Sequence, residues 1–224
     1  MRLLYWLLDL LFPPKCALCG KLLTRQETDF CTHCRVDAPI FPALPGNTHP
    51  SGKSRLQFLD SFTAVWYYKE NVRQGIHRIK FQGARHLARP YSTVLAMKLL
   101  QTHPEGFDVI TWVPVSRRRR RSRGYDQSQL LAQGLQKELG IPAVALLEKT
   151  RHNTAQSTLP PEKRRANVLG AYRCRKDVSP AGKRILLVDD VFTTGATAEE
   201  CARVLLTAGA KEVHGAAVAA AQKE

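Results

Sequence analysis

Two acidic residues followed by small hydroxylated residues form the segment of this sequence best suited to chemistry. Residues 185–197 read ILLVDDVFTTGAT, so Asp189 and Asp190 follow an apolar run directly. Such a run predicts a buried strand, and ligands of open α/β sheets bind beyond the carboxyl ends of strands. A helix predicted from 197 directs its first N–H groups to the same place, which favours an anion. We therefore predict a phosphate-binding loop formed by Val191, Thr193, Thr194, Gly195, Ala196 and Thr197, in which Thr197 also caps the helix.

A strongly basic tract follows a second predicted strand. Residues 116–127 read SRRRRRSRGYDQ after a strand predicted at 109–115. Guanidinium groups bind phosphate oxygens in pairs, so Ser116, Arg117 and Arg123 are candidates for holding a pyrophosphate. A charge run is more often a solvated face, and it also suits a nucleic-acid backbone, so the sequence leaves these three roles open. Tyr125 stands almost alone as an aromatic neighbour, which weakens a base-stacking role.

Four of the six cysteines occur as two CxxC pairs. The four thiols are those of Cys16, Cys19, Cys31 and Cys34. Two such pairs can complete a closed tetrahedral Zn²⁺ site, which we predict to be structural because it leaves no open position for catalysis. Two disulfides, a redox CxxC and an iron–sulfur cluster remain as alternatives, and His33 is a substitute for one thiolate. Gly20 suits a turn with positive φ after the second cysteine.

Alternating apolar segments predict an α/β domain in which a parallel sheet is covered on both faces. The predicted strands are residues 62–68, 109–115, 143–147, 185–189 and 213–219. The predicted helices are residues 72–81, 84–100 (kinked or divided at Pro90), 126–139 and 197–208. Residues 151–167 are polar and basic, and we predict a long mobile loop that carries Arg164 and Arg165 over the site. The predicted organisation is an amphipathic helix and zinc finger in 1–38, a linker in 39–54 and the main domain in 55–224.

Charge and the first residues limit the location and the partners. The chain has 224 residues and a formal net charge of +15, which attracts polyanions without selecting among them. Residues 3–12 are apolar but contain Asp9, have no small-residue cleavage site and are too short to span a membrane. Leucines at helical spacing predict an amphipathic helix packed on the main body, with a membrane-surface helix as the alternative. We predict a cytoplasmic protein.

These motifs together carry a family resemblance. VDDVFTTGAT resembles the phosphoribosyl-pyrophosphate motif of type I phosphoribosyltransferases. That resemblance implies that Asp189 and Asp190, the acids at the reacting sugar, bind the ribose hydroxyls. It also implies that residues 193–197 bind the 5′-phosphate and that Mg²⁺ accompanies the pyrophosphate. With VPVSRRRRRSRGYDQSQLLA and the CxxC pairs, nearly the whole chain resembles the ComF family, which is linked to competence and DNA uptake. Asp126 departs from the Asn usual in that family.

Three functions remain open at this point. A phosphoribosyltransferase that uses phosphoribosyl pyrophosphate ranks first, although no residue stands out as a general base. A non-catalytic adaptor would use the basic surface for single-stranded DNA or a helicase-like partner of DNA uptake. A sensor would bind phosphoribosyl pyrophosphate without turnover. The sequence names no acceptor, and it leaves open whether the chain is a homodimer.

Overall fold

The fold was analysed in a computed structural model that describes residues 13–51, 55–150 and 168–221. Its strands are β1 Ser61–Tyr67, β2 Val109–Trp112, β3 Leu147–Lys149, β4 Tyr172–Cys174, β5 Arg184–Phe192 and β6 Glu212–Ala220. Its α-helices are α1 Thr32–Asp37, α2 Glu70–Phe81, α3 Ala88–Thr102, α4 Arg117–Arg123, α5 Gln127–Leu139 and α6 Ala196–Thr207. A 3₁₀ turn at Arg85–Leu87 precedes α3. The predicted helix in residues 3–12 lies outside the described residues.

A parallel sheet of four strands forms the centre of the molecule. Its strand order is β1-β6-β5-β2, and all three pairings are parallel. A separate antiparallel pair is formed by β3 and β4, which come before and after residues 151–167 in the sequence. The predicted α/β class with a parallel sheet flanked by helices is therefore confirmed.

Both faces of the sheet are buried, which explains the continuous apolar run in β5. Leu186 and Val188 pack in a cluster with residues of α3 and α5 on one face. Ile185 and Leu187 pack in a second cluster with residues of α6 on the other. Alternate residues of a strand point to opposite faces, so every position of this run must be apolar.

One predicted strand was misplaced, and two elements were not predicted. The strand expected at 143–147 is instead β3, four residues later, because Ala143 makes only a single parallel bridge to Ile110. Its partner β4 and the helix α4 were not predicted. The helix expected at 84–100 is divided before Pro90, which lies in the first turn of α3, where a missing N–H costs no hydrogen bond.

The cysteine-rich segment packs directly on the main sheet and helices. Arg78 of α2 donates from Nη2 to the carbonyl oxygens of three successive residues, 16 to 18, at 2.7–3.0 Å. The Tyr91 hydroxyl donates to the Ala17 carbonyl at 2.6 Å. Gly75 permits this approach, because a Cβ there would lie 2.5 Å from the Ala17 oxygen. The cysteine segment and α2 therefore share one core.

The segment predicted as a linker also contacts the main domain. Ile40 forms an antiparallel bridge with Trp66 of β1, and Phe41 is buried. Farther along, Nε2 of His49 lies 3.3 Å from the Thr194 carbonyl oxygen. This segment therefore runs from the edge of the sheet to the predicted phosphate loop.

Candidate active site

The acidic pair lies within β5 rather than just after it. The strand continues for three residues beyond Asp189 and ends at Phe192. β2 ends opposite Val188 of β5, so the chain after β2 reaches the two acids. This register explains why two segments far apart in sequence meet at one edge of the sheet.

The start of α5 holds both carboxylates. Ser128 Oγ donates to Asp189 Oδ1 at 3.0 Å, and Gln127 Nε2 donates to Asp190 Oδ2 at 2.9 Å. The Asp190 N–H also donates to Asp189 Oδ1 at 2.8 Å. The other amide atom, Gln127 Oε1, is buried and has no hydrogen-bond partner among the described residues. A buried acceptor of this kind calls for a donor, such as a ligand hydroxyl or a water molecule.

A lysine from α2 completes the site. Lys80 Nζ lies 2.7 Å from Asp190 Oδ1, and only 19% and 8% of the two side chains is exposed. This ion pair supplies the countercharge that a buried carboxylate needs. Lys80 was not predicted from the sequence, because it is 110 positions from Asp190 and lies in an ordinary amphipathic helix.

The two acids have different electrostatic surroundings. Burial, and then the neighbouring negative charge of Asp190, raise the pKa of Asp189 to about 7, against the opposing effect of Lys80. A carboxyl group with such a pKa exchanges protons near neutral pH, a property that clusters at functional sites. Asp189 is therefore suited to hydrogen bonding with sugar hydroxyls both as a donor and as an acceptor.

The predicted phosphate loop has the geometry of an anion site. Gly195 is the N-cap of α6 with φ 72°, and no side chain caps the helix there. A Cβ on Gly195 would lie 2.3 Å from the Phe192 ring, so only glycine fits. A hollow of about 40 Å³, large enough for about three water molecules, is lined by Asp189, Val191, Phe192, Thr193, Gly195, Ala196, Thr197 and Ala198. The volume suits a phosphate group.

The structure corrects one detail of this loop. α6 begins at Ala196, so Thr197 lies inside the first turn and is not the cap. Glu200, three positions after Thr197, accepts from the Gly170 N–H at 2.8 Å. The neighbouring Glu199 accepts from two backbone N–H groups, those of Gln57 and Phe58, at 2.9 Å each. The first turn of α6 is thus hydrogen-bonded to two other parts of the chain, at Gly170 and at residues 57–58.

The arginine tract forms the short helix α4. Ser116 is its N-cap, where Oγ accepts from the Arg119 N–H at 3.4 Å, and Gly124 ends it with φ 75°. Arg117 is exposed, whereas Arg123 is half-buried with its guanidinium 4.8 Å from the Phe81 ring centroid. Burial lowers the pKa of Arg123, and the charge of Asp190 opposes that shift. Arg123 therefore lies close enough to Asp190 for the charge of that carboxylate to act on it.

Lys149 of β3 is a further cation near the site that the sequence did not reveal. Its Nζ donates to the Tyr172 hydroxyl at 3.1 Å. Burial and the charge of Arg119 lower the pKa of Lys149, and the charge of Asp189 raises it. Lys149 is the last residue of β3. Arg164 and Arg165 lie outside the described residues.

Asp126, which departs from the family pattern, has a structural position. Its Oδ1 caps α5 by accepting from the N–H groups of Ser128 and Gln129 at 3.0 and 3.2 Å. Its Oδ2 accepts from the Val115 N–H at 3.0 Å. Burial raises the pKa of Asp126. Both oxygens are thus used to fix α5 against the end of β2.

The four cysteine thiols form a separate metal-type cluster. The Sγ atoms of Cys16, Cys19, Cys31 and Cys34 all lie within 4.8 Å of one another. Tetrahedral Zn²⁺ with Zn–S bonds of about 2.3 Å places thiolates about 3.8 Å apart. The Cys19–Cys31 separation is 3.7 Å, so the cluster fits the ion. His33 is exposed and pairs with Asp37, so it takes no part in the ligand set, and Gly20 has the predicted positive φ of 78°.

The fold and the two sites define a chain of the phosphoribosyltransferase type with a zinc ribbon. Residues 126–224 match the phosphoribosyl transferase domain family, and residues 7–44 match the double zinc ribbon domain family. The predicted four-cysteine zinc site and the phosphoribosyltransferase-like fold are thereby confirmed.

Similar proteins identify the family. The chain is 31% identical to the DNA utilization protein YhgH of Escherichia coli K12, over 90% of this chain and 94% of that protein. It is 29% identical to competence protein F of Haemophilus influenzae, over 88% and 86% of the respective chains. The chain belongs to the ComF family, as the sequence resemblance indicated.

Solved structures give weaker similarities. Glutamine phosphoribosylpyrophosphate amidotransferase from B. subtilis matches with a TM-score of 0.40 and 28% identity, over 58% of this chain and 26% of that one. Purine phosphoribosyltransferase from Pyrococcus horikoshii matches with a TM-score of 0.36 and 21% identity, over 58% and 71%. Within the described residues, no helix combines the length and the apolar character needed to cross a membrane.

Proposed function

We propose that this chain binds phosphoribosyl pyrophosphate and transfers its phosphoribosyl group, as a cytoplasmic protein of DNA utilisation. The proposal depends on one observation: the acidic pair of β5 lies next to a phosphate-sized hollow, and the strand, the loop and α6 that form this site are consecutive in the chain. Asp189 lines that hollow and is held by Ser128. A ribose 5-phosphate bound there would place its phosphate at the start of α6 and its hydroxyls at the carboxylates.

The unpartnered amide oxygen of Gln127 supports a sugar as the ligand. It is buried, and its amide nitrogen is fixed by Asp190. One ribose hydroxyl would donate to this oxygen, and its neighbour would hydrogen-bond to Asp189. The site therefore has both partners that a sugar diol requires.

Positive groups around the acids are suited to the leaving pyrophosphate. Lys80, Arg123 and Lys149 approach the acidic pair from three different elements. Developing negative charge on a leaving group is stabilised most by cations fixed in advance. Mg²⁺ would be bound through pyrophosphate oxygens and neutralise part of the charge, and the carboxylate and hydroxyl oxygens present are donors that it accepts. Arg164 and Arg165 would close over the site.

The transfer step places modest demands on the protein. Bond breaking at the anomeric carbon leaves positive charge on the sugar and negative charge on pyrophosphate. The carboxylates of Asp189 and Asp190 hold the sugar and stabilise its positive charge. The surrounding cations stabilise the negative charge of the pyrophosphate. The acceptor replaces the pyrophosphate at that carbon. No general base on the protein is needed where the acceptor carries an anionic nitrogen or oxygen.

A pyrophosphate-release assay tests turnover. Phosphoribosyl pyrophosphate, Mg²⁺ and each common nucleobase are added to the protein, and pyrophosphate is measured over time. We expect release with one acceptor and loss of release in Asp189→Asn, with Asp177→Asn as the matched exposed control. Binding without release for any acceptor would remove the transferase and leave the sensor that binds without turnover.

A second function is favoured by the exposed side of α4. Arg117, Arg118, Arg120 and Arg121 are exposed. Such a cluster can bind phosphates of single-stranded DNA in an adaptor that also contacts a helicase-like partner. Because each neutralised phosphate releases counterions, Arg118→Ala with Arg121→Ala would lower the salt dependence of single-strand binding by about 1–2 units of slope. Absence of single-strand binding by the wild type at low salt would contradict the DNA-binding function.

A further inference from the structure

A second cavity lies at the end of the sheet where the strands begin, whereas the phosphate loop lies at the end where they finish. Its volume is about 260 Å³, and it opens where β1 and β6 begin. The polar side chains that line it include Ser61, Lys98, His103 and His214. The phosphate loop follows the carboxyl end of β5, so this cavity shares no lining residue with that hollow.

Ser61, His214 and Glu212 form a continuous hydrogen-bonded chain beside this cavity. Ser61 of β1 and His214 of β6 are register partners, with Ser61 Oγ 2.8 Å from His214 Nδ1. The other ring nitrogen, Nε2, lies 3.2 Å from Glu212 Oε2. Arg184 Nε donates to the same carboxylate oxygen at 2.8 Å and fixes its position. A hydroxyl, an imidazole and an orienting carboxylate in this order are the elements of an activated nucleophile.

A second histidine helps to set the direction of the serine proton. His103 Nε2 lies 3.2 Å from Ser61 Oγ and 3.4 Å from the Thr63 hydroxyl. Burial lowers the pKa of His103, with the hydrogen bond to Glu105 opposing that shift, so burial favours the neutral ring. A serine hydroxyl has one hydrogen, and the shorter distance directs it to His214. The Thr63 hydroxyl then supplies the hydrogen bond to His103.

Lys98 brings a positive charge to the same cavity. Its Nζ donates to the Phe41 carbonyl at 3.1 Å, and it forms no ion pair with a carboxylate in the part of the chain that the structure describes. An ammonium that makes no direct ion pair can stabilise an anionic group or a developing negative oxygen in this cavity, which Asp60 and Glu105 also line.

We propose that Ser61 is a nucleophile that cleaves small carboxylic esters in this cavity, with His214 as the general base and Glu212 as its positioning residue. The Ser61 oxygen bonds to the acyl carbon while its proton passes to His214 Nδ1. The bond from that carbon to the alcohol oxygen breaks, and the alcohol leaves with the proton. Water then adds to the acyl-serine, giving its proton through His214 back to Ser61 as the carboxylic acid departs. The net reaction is ester plus water to acid plus alcohol.

Covalent labelling of the full chain with diisopropyl fluorophosphate tests this proposal. The serine oxygen bonds to phosphorus, and fluoride leaves together with the serine proton as hydrogen fluoride. We expect a single adduct that peptide mass spectrometry locates at Ser61, and its complete loss in Ser61→Ala. Ser179→Ala is the matched control and should label like the wild type, because it removes an exposed serine whose hydroxyl accepts only from the Ala181 N–H among the described residues.

The base is tested by the labelling rate. His214→Gln should slow labelling about 100-fold, the usual range for loss of a general base, and His77→Gln on the exposed side of α2 should leave the rate unchanged. Should His214→Gln fail to fold, judged by its unfolding temperature, Glu212→Gln should still reduce the rate. Asp189→Asn should label normally, which separates this site from the phosphoribosyl site. Absence of an adduct at Ser61 in the folded wild type, or an unchanged rate in both base variants, overturns the proposal.

Discussion

The ammonium group of Lys80 lies 2.7 Å from Asp190 Oδ1, so a cation from α2 neutralises one of two adjacent carboxylates on β5. The contact joins α2 to β5. The same helix also binds the cysteine segment, because Arg78 donates to the first CxxC turn. The cysteine segment and the acidic pair are thus both bonded to the last turn of α2, through Arg78 and Lys80.

Loss of the Lys80 side-chain charge should therefore affect both stability and ligand binding. Lys80→Met leaves Asp190 buried without a countercharge, and we expect the free energy of unfolding to fall by about 3 kcal/mol. Lys137→Met, which removes an exposed lysine from α5, should change it by less than about 0.5 kcal/mol. Urea unfolding measures both variants. Equal stability of the two would show that the ion pair contributes little.

Asp189 should cost stability at neutral and alkaline pH. Its folded pKa of about 7 lies above the ordinary value of 3.8, so the folded state binds more protons between these values. The stability conferred by protonated Asp189 is complete below about pH 4 and is lost as the pH rises through 7. Asp189→Asn should thus be more stabilising at pH 8 than at pH 5 by about 1 kcal/mol or more.

Urea unfolding at the two pH values measures this difference. The control is Asp177→Asn, whose carboxylate is exposed and pairs with Arg175, so its pKa is lowered instead. An Asp189→Asn variant whose stability relative to the wild type does not depend on pH would contradict the assignment of a raised pKa.

Gly195 should be intolerant of any side chain. Gly195→Ala brings a Cβ to 2.3 Å from the Phe192 ring and also places alanine at a φ of 72°. Gly140→Ala is the matched control, because its φ of 70° is similar but nothing lies within 4 Å of the added carbon. We expect a loss of about 1 kcal/mol for Gly140→Ala and about 2–4 kcal/mol for Gly195→Ala. Only the second should weaken phosphate binding, as measured by calorimetry.

Removal of the metal should destabilise the whole chain. The cysteine segment shares its core with Tyr91 of α3 and Trp66 of β1, so loss of zinc exposes apolar surface of the main domain. We expect chelation to lower the single unfolding temperature and to change Trp66 fluorescence. Cys174→Ser, outside the cluster, should bind one zinc per chain like the wild type. An unaltered transition of the main domain after chelation would indicate an independent module.

The sequence predicted the parts of the site that are continuous in the chain. The apolar run before Asp189 favours a buried strand, and the small residues after it favour a tight turn into a helix. Lys80 and Gln127 were missed because they reach Asp190 through tertiary packing across separations of 110 and 63 residues. Nothing in their local pattern distinguishes them from other surface-helix residues.

The errors in secondary structure have local causes. Residues 143–147 form an apolar run in which Leu146 is buried in the core. Burial without strand pairing gives the same sequence pattern as a strand. The arginine helix α4 has no apolar period, and its limits are set by a serine cap and a glycine stop instead. Patterns of hydrophobicity therefore predicted the main sheet and failed where hydrogen bonds define the element.

Calorimetric titration with phosphoribosyl pyrophosphate and Mg²⁺ tests the central claim most directly. The wild type and Asp177→Asn should both give a saturable heat at one site per chain. The double variant Asp189→Asn with Asp190→Asn, shown to be folded by its zinc content and circular dichroism, should give none. Equal heats for the double variant and the wild type, or no heat for the wild type, would contradict the account.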